Sequence, residues 1–418
     1  MLSCHTTWYI VPLIEEAVSV EVAREYPMVR TCPFDPPPEM AEIQAGERVL
    51  RVRHWDGTQP WLVTGYDQVR AILTDPRVSA DTDLLGYPHP SAGSAARRRV
   101  TKNFINMDNP EHDRQRRMLT RDFMVKRMQA MRPTIQALVD GLIDEMLAGP
   151  NPVDLVEALA LPVPSLVICD MMGVSYTERD LFHELSRTMI SRLSTPEQAV
   201  GALNGMLEFM SRLVDEKTAH PGDDLISRLV TTQLQPGHLT RDDVVQMCQL
   251  LLVAGHETTA NMIALGTLTL LERPEALAEL RDATDPAVAE GAVEELLRYL
   301  TILHVGRRRV ATEDFEFEGV RIRAGDGIIV DHAVANRDPV AFEHPDELDI
   351  HRKARHHLAF GYGIHQCLGQ PLARVELAVV YSTLYRRIPT LRLAVPLEEI
   401  AFKHDNVVYG VESLPVTW

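Results

Sequence analysis

The 418-residue sequence is short of several things at once. Cysteine is scarce, with five residues at Cys4, Cys32, Cys169, Cys248 and Cys367. None forms a CxxC pair, and an odd number in so long a chain argues against a disulfide framework. A reducing, cytoplasmic setting is expected. Positive charge is also in deficit: 42 Lys and Arg stand against 59 Asp and Glu, a net charge of −17. That balance makes a polyanion such as nucleic acid a poor partner. No apolar run reaches the roughly 20 residues of a membrane span. Glu15 and Glu16 cut the N-terminal run, and His256, Glu257 and Asn261 interrupt the longest internal one. The first residues lack a basic stretch and a small-residue cleavage site, so neither a signal peptide nor an anchor is expected. Also missing are a Gly-x-Gly-x-x-Gly fingerprint, the cysteine spacing of a ferredoxin and any internal repeat. Membrane proteins, disulfide scaffolds and self-contained flavin or nicotinamide modules are thereby excluded.

What is present is a chain 45% hydrophobic and 24% charged, the balance of a protein with a large buried core. The segment TCPFDPPPEM opens an ordered region, with helical spacing over 38–45. VLRVRHW and WLVT, on either side of DGTQP, read as paired strands, and YDQVRAILTD as a helix. Residues 81–109 look irregular, as lids and binding loops do. From 110 to 300 nearly everything has helical periodicity. Its strongest stretch runs from about Thr240 to Leu271, where Thr240 and Asp243 resemble a capping box. That helix is apolar on most faces, which places it in the protein centre. After 305 the pattern turns to short strands, then a long loop, then a last helix from about Gln370. One mainly α domain with a minor β portion is expected over 31–418, preceded by an extension at 1–30.

The long loop ends in Phe360-Gly-Tyr-Gly363-Ile-His365-Gln-Cys367-Leu-Gly369. Its glycines permit tight turns or close backbone approach to a flat ligand. Cys367 precedes a helix N-terminus, whose positive dipole end favours a thiolate. On these residues alone, Cys367 is either a ligand or a buried Cys in a Gly-rich turn. The spacing of Phe360, Gly363, Cys367 and Gly369, however, resembles the haem-binding loop of the cytochrome P450 family. The resemblance implies the P450 fold around a buried haem b, with Cys367 as the ligand of the haem iron.

Further constellations fit that resemblance. Glu295 and Arg298 lie one helical turn apart and match the family's structural Glu-x-x-Arg pair, whose third member is left open, with Arg352 a candidate. Ala254-Gly255-His256-Glu257-Thr258-Thr259 is similar to the family's oxygen-activating helix. It implies that Ala254 and Gly255 make room for dioxygen, while Glu257 and Thr258 relay protons. His112 and Arg116, four residues apart, match the family's propionate-binding pair, and Arg309 and His365 its other propionate partners. Substrate contacts carried over by region are Leu250, Val253, Ile302, Leu303 and Val407, with the 81–105 segment. His304, Arg307 and Arg308 stand where smaller residues are expected.

The similarity is greatest to soluble actinobacterial, Streptomyces-type members that oxidise secondary metabolites or xenobiotics. It implies a monooxygenase that inserts one atom of dioxygen into a small organic substrate by hydroxylation or epoxidation. Electrons would come from a separate ferredoxin and ferredoxin reductase, with Arg114, Arg117, Arg121, Arg352, Lys353 and Arg355 as a docking patch. Two other readings stand beside it: a nitric-oxide reductase of the same fold using NADH directly, and a non-catalytic haem sensor or carrier. The presence of both Glu257 and Thr258 favours the monooxygenase.

Overall fold

The computed structural model describes residues 24–98 and 100–418. Its axis is a 31-residue helix, Arg241–Leu271. The expected cap is there: Asp243 N–H donates to Thr240 Oγ1 at 3.1 Å and Thr240 N–H donates to the Asp243 carboxylate at 2.9 Å. Around this central helix pack Pro162–Met172, Pro196–Ala219 and Gln370–Arg387. Their apolar faces merge into one core that takes in most of the helical residues.

The β portion sits to one side. A five-stranded sheet runs in the order Val49–Arg51, Trp61–Val63, Gly327–Val330, Arg307–Ala311 and Val78–Ser79. The first two strands are antiparallel, with Leu50 opposite Leu62, as their alternation suggested. A three-stranded sheet near the C-terminus and the hairpin Phe315–Phe317 with Val320–Ile322 complete it.

Several expectations change. Within 81–109, read as irregular, a short helix forms at Ala92–Arg97, capped by Ser91 Oγ accepting from Ser94 N–H. Six residues, five of them small, are too few for an apolar period to show. The extension expected at 1–30 is not separate throughout. Residues 1–23 lie outside the described residues, but Tyr26 is buried and its hydroxyl donates to Asp331 at 3.0 Å. Glu25 bridges to Arg53 beside the sheet, and buried Arg30 donates to the Asp35 carbonyl. The ordered domain therefore begins before TCPF.

Behind the central helix, Glu295 and Arg298 are completely buried. Arg298 donates twice to the Glu295 carboxylate, at 2.8 Å each, and to the carbonyls of Asn336, Pro345 and Glu347. Burying such a pair is favourable only when every donor is satisfied, as here. Arg352 Nε joins Glu295 at 3.1 Å and supplies the third member. This brace fixes the 336–352 segment, which leads into the Cys367 loop. Arg352 is thus committed inward, and it leaves the docking patch in which the sequence placed it.

Candidate active site

One cavity unites the sequence-distant motifs. Leu250, Leu251, Ala254, Gly255, Thr258, Thr259 and Met262 of the central helix form one wall. Their spacing of three and four is a single helical stripe. The Cys367 loop and the start of Gln370–Arg387 form another, with Phe360, His365, Cys367, Gly369, Leu372 and Glu376. Ile302, Leu303 and Arg307 close a side, and Phe104 and Ile105 alone represent the 81–105 segment.

Val253 does not reach this cavity, because it lies about 100° round the helix from Ala254 and packs on the core instead. Nor does Val407, whose backbone is engaged with Ile190. Two glycines have packing roles that the sequence did not show. At Gly255 a Cβ would stand 3.0 Å from Ile168, so its bareness admits the neighbouring helix Pro162–Met172 as well as opening the cavity. At Gly363 φ is +74° and a Cβ would lie 2.8 Å from the Leu73 carbonyl. Gly363 seats the loop on the helix Tyr66–Thr74 and is not on the cavity wall.

Cys367 N–H donates to Phe360 O at 2.8 Å, which curls the loop. Burial pushes the Cys367 thiol up, opposed by the backbone N–H groups of Gly369 and Gln370 and by Arg307 and Arg116. A sulfur so placed becomes a thiolate when a cation coordinates it. Around it stands an excess of basic groups. Arg116 and Arg307 line the cavity, while Arg309, buried on the same strand face as Arg307, and His112 stand behind. The rings of His112 and His365 are 4.2 Å apart, and each has a buried Nε2 with no partner among the described residues. No ion pair holds Arg116, Arg307 or Arg309 among the described residues. Burial pushes His365 down to about 2, reinforced by Arg309 and His112. Buried and half-buried cations and donors without acids call for an anionic ligand. A flat, apolar macrocycle with two carboxylates and a thiophilic metal at its centre fits this donor set.

The comparisons agree. A family model described as Cytochrome P450 matches residues 195–388. The chain is 53% identical over 410 residues to Cytochrome P450 GfsF of Streptomyces halstedii, covering 97% of this chain and 99% of that one. The chain belongs to the cytochrome P450 family. It is a haem-binding monooxygenase, similar also to a pentalenic acid synthase of Streptomyces avermitilis, with 46% identity and coverage of 97% and 100%. Among solved structures, GfsF superposes with a TM-score of 0.88, covering 95% of this chain and all of that one. The mycinamicin VIII C21 methyl hydroxylase MycCI of Micromonospora griseorubida, solved with mycinamicin VIII bound, reaches 0.90 at 41% identity, with coverage of 94% and 100%.

Within this P450, Glu257 is buried and does not line the cavity. Its Oε2 accepts from Asn261 Nδ2 at 3.4 Å, and Asn261 Oδ1 accepts from buried Lys403 at 3.1 Å. Thr258 faces the cavity, its hydroxyl donating to Ala254 O at 2.9 Å. Several cavity residues escaped the sequence reading, among them Leu251, Met262, Leu372 and Glu376. Arg307 was noticed only as out of place. Thr259 lies beside Glu376, a buried acid that burial pushes up to about 8 and whose Oε1 has no partner among the described residues. A lone acid inside the otherwise apolar VELAVV was the available signal.

Proposed function

We propose that Cys367 ligates the haem iron, that Arg116, Arg307, Arg309, His112 and His365 hold the propionates, and that Glu257 and Thr258 deliver protons to the distal side. The observation that carries this reading is a half-buried cysteine sulfur sharing one cavity with the Thr258 hydroxyl, ringed by cations that lack acids. Haem, when bound, supplies the oxygen chemistry and its thiolate ligand favours O–O cleavage.

The protein's own contribution is positional. Thr258 gives its hydrogen to Ala254 O, so its lone pairs stay open to accept a proton. Glu257 sits one residue away, held off the cavity by Asn261, and reaches Thr258 by a side-chain rotation. Leu250, Ile302 and Leu303 offer an apolar surface to the substrate and keep bulk water out. A largely apolar secondary metabolite or xenobiotic suits these walls.

Electrons would arrive from a ferredoxin and its reductase. Exposed Arg114, Arg117, Arg121, Lys353 and Arg355 supply charge, and exposed Met124, Val125 and Ile364 supply apolar contact. A cytoplasmic location agrees with free thiols at Cys32, Cys169, Cys248 and Cys367. No helix among the described residues is long and apolar enough to cross a membrane. The test is oxidation of NADPH by a surrogate ferredoxin system, dependent on substrate and yielding product with one added oxygen. Reduction of nitric oxide by NADH without partners would instead establish the reductase.

A further inference from the structure

On the side of the central helix turned away from the cavity, Glu257 has a second neighbour. His256 is fully buried, and its Nδ1 donates to the Leu252 carbonyl at 2.7 Å. A carbonyl only accepts, so Nδ1 carries the hydrogen and Nε2 is left as a lone pair. That Nε2 has no hydrogen-bond partner among the described residues and lies 3.8 Å from Glu257 Oε1. A phenylalanine would fill the same volume without stranding a nitrogen, which makes packing a poor reason for a histidine here.

The His256 ring stacks on His183, with centroids 5.2 Å apart and planes 25° from parallel. His183 belongs to the helix Arg179–Ile190, and its Nε2 meets Ser165 Oγ at 2.8 Å. It also forms part of the wall of an outer pocket of about 490 Å³, together with Glu157, Arg179 and Asp180. That volume holds several waters. The order from solvent inwards is therefore pocket, His183, His256, Glu257.

We propose that His183 and His256 carry protons from the water of this outer pocket to Glu257, supplying the acid from behind the central helix. The proposal rests on the reading of Glu257 as the distal proton donor. In one passage a hydronium or buffer acid in the pocket gives its proton to His183, and His256 Nε2 then receives one. His256 passes it to Glu257 Oε1, and the Glu257 acid hands it to the Thr258 hydroxyl. Only N–H and O–H bonds form and break, and each proton entering balances one electron supplied by the redox partner. Stacked imidazoles do not aim N–H at each other, so the step between the rings needs one water or a rotation of His183.

The charged groups facing His183 are His256, Arg187, Asp180 and Arg179, and Glu257 is the one facing His256. Burial, with His256 and Arg187, pushes His183 down to about 4. An imidazolium there is short-lived, as a conduit requires.

The test compares the unmodified holoenzyme with His183→Phe and His256→Phe, which keep an aromatic ring, and with His183→Gln as a second substitution. Turnover is driven by the ferredoxin system and, separately, by hydrogen peroxide, which brings its own two protons. For each Phe variant, product per reductant is expected to fall roughly tenfold while peroxide-driven turnover changes less than about twofold. Independently of turnover, NMR is expected to show slower solvent exchange of the His256 ring proton in His183→Phe. Unchanged coupling in all variants, or equal losses under both drives, would overturn the proposal alone. No product from the unmodified enzyme under either drive would overturn the parent reading and this proposal with it.

Discussion

Lys403 donates to Asn261 Oδ1 across 3.1 Å of buried space, and that contact fixes which way the Asn261 amide faces. Lysine has only donors, so the oxygen must turn towards it and the NH₂ towards Glu257. Nδ2 meets the Glu257 carbonyl at 2.7 Å and Oε2 at 3.4 Å. The acid is thereby held against Asn261, off the cavity wall.

Asn261→Leu should release Glu257 without altering the cavity. Coupled product per reductant is expected to drop about tenfold, less than the roughly 10²–10⁴-fold that a positioned proton donor supplies, because the acid is displaced and not removed. Lys403→Met should do less, since the amide keeps its Glu257 bonds. Parallel counts of NADPH consumed and product formed check both.

Arg298→Met removes the two-bond partner of a fully buried carboxylate and empties three carbonyl contacts. A loss of about 3–5 kcal/mol is expected, read as a lower urea midpoint. Arg352→Ala, at the edge of the same brace, should cost about 1–2 kcal/mol.

Gly363→Ala brings a Cβ to 2.8 Å from Leu73 O at a positive φ. The expected cost is about 1–3 kcal/mol. Haem content per polypeptide should fall with it, because the strain sits four residues before the sulfur. Pyridine haemochrome assay against protein mass measures this.

Glu376 gives a pH signature. Its folded pKa is about 8 against an ordinary 4.5, raised by burial. Between those values the native protein keeps a proton that the unfolded chain releases. Stability from this group therefore falls as pH rises from 4.5 to 8 and levels off above 8. In Glu376→Gln that slope is removed, so the variant should gain on the parent between pH 5 and pH 8 in paired denaturation curves. A constant difference would contradict the shift.

The central helix was legible because its apolar residues are continuous and its cap is local. The Cys367 loop was legible because its four spaced residues are contiguous in sequence and resemble a family pattern. Arg352 could be named as a candidate for the brace from its place in the chain, whereas Tyr26 could not, since its partner Asp331 is far away in sequence. Val253 was misplaced because a turn of about 100° separates a cavity residue from a core one, and regional transfer ignores rotation. Gly363 could serve a tight turn or ligand clearance, and the contact that decides, with Leu73, lies almost three hundred residues earlier. Glu376 needed the packing of two helices before its burial could be seen.

The central claim is a thiolate on haem iron, and the carbon-monoxide difference spectrum of the reduced protein tests it most directly. The freshly purified protein should show the strongly red-shifted Soret band of a thiolate ligand, and Cys367→Ser should lose it. A haem-loaded, unmodified protein without that band, or a Cys367→Ser variant that retains it, would contradict the assignment.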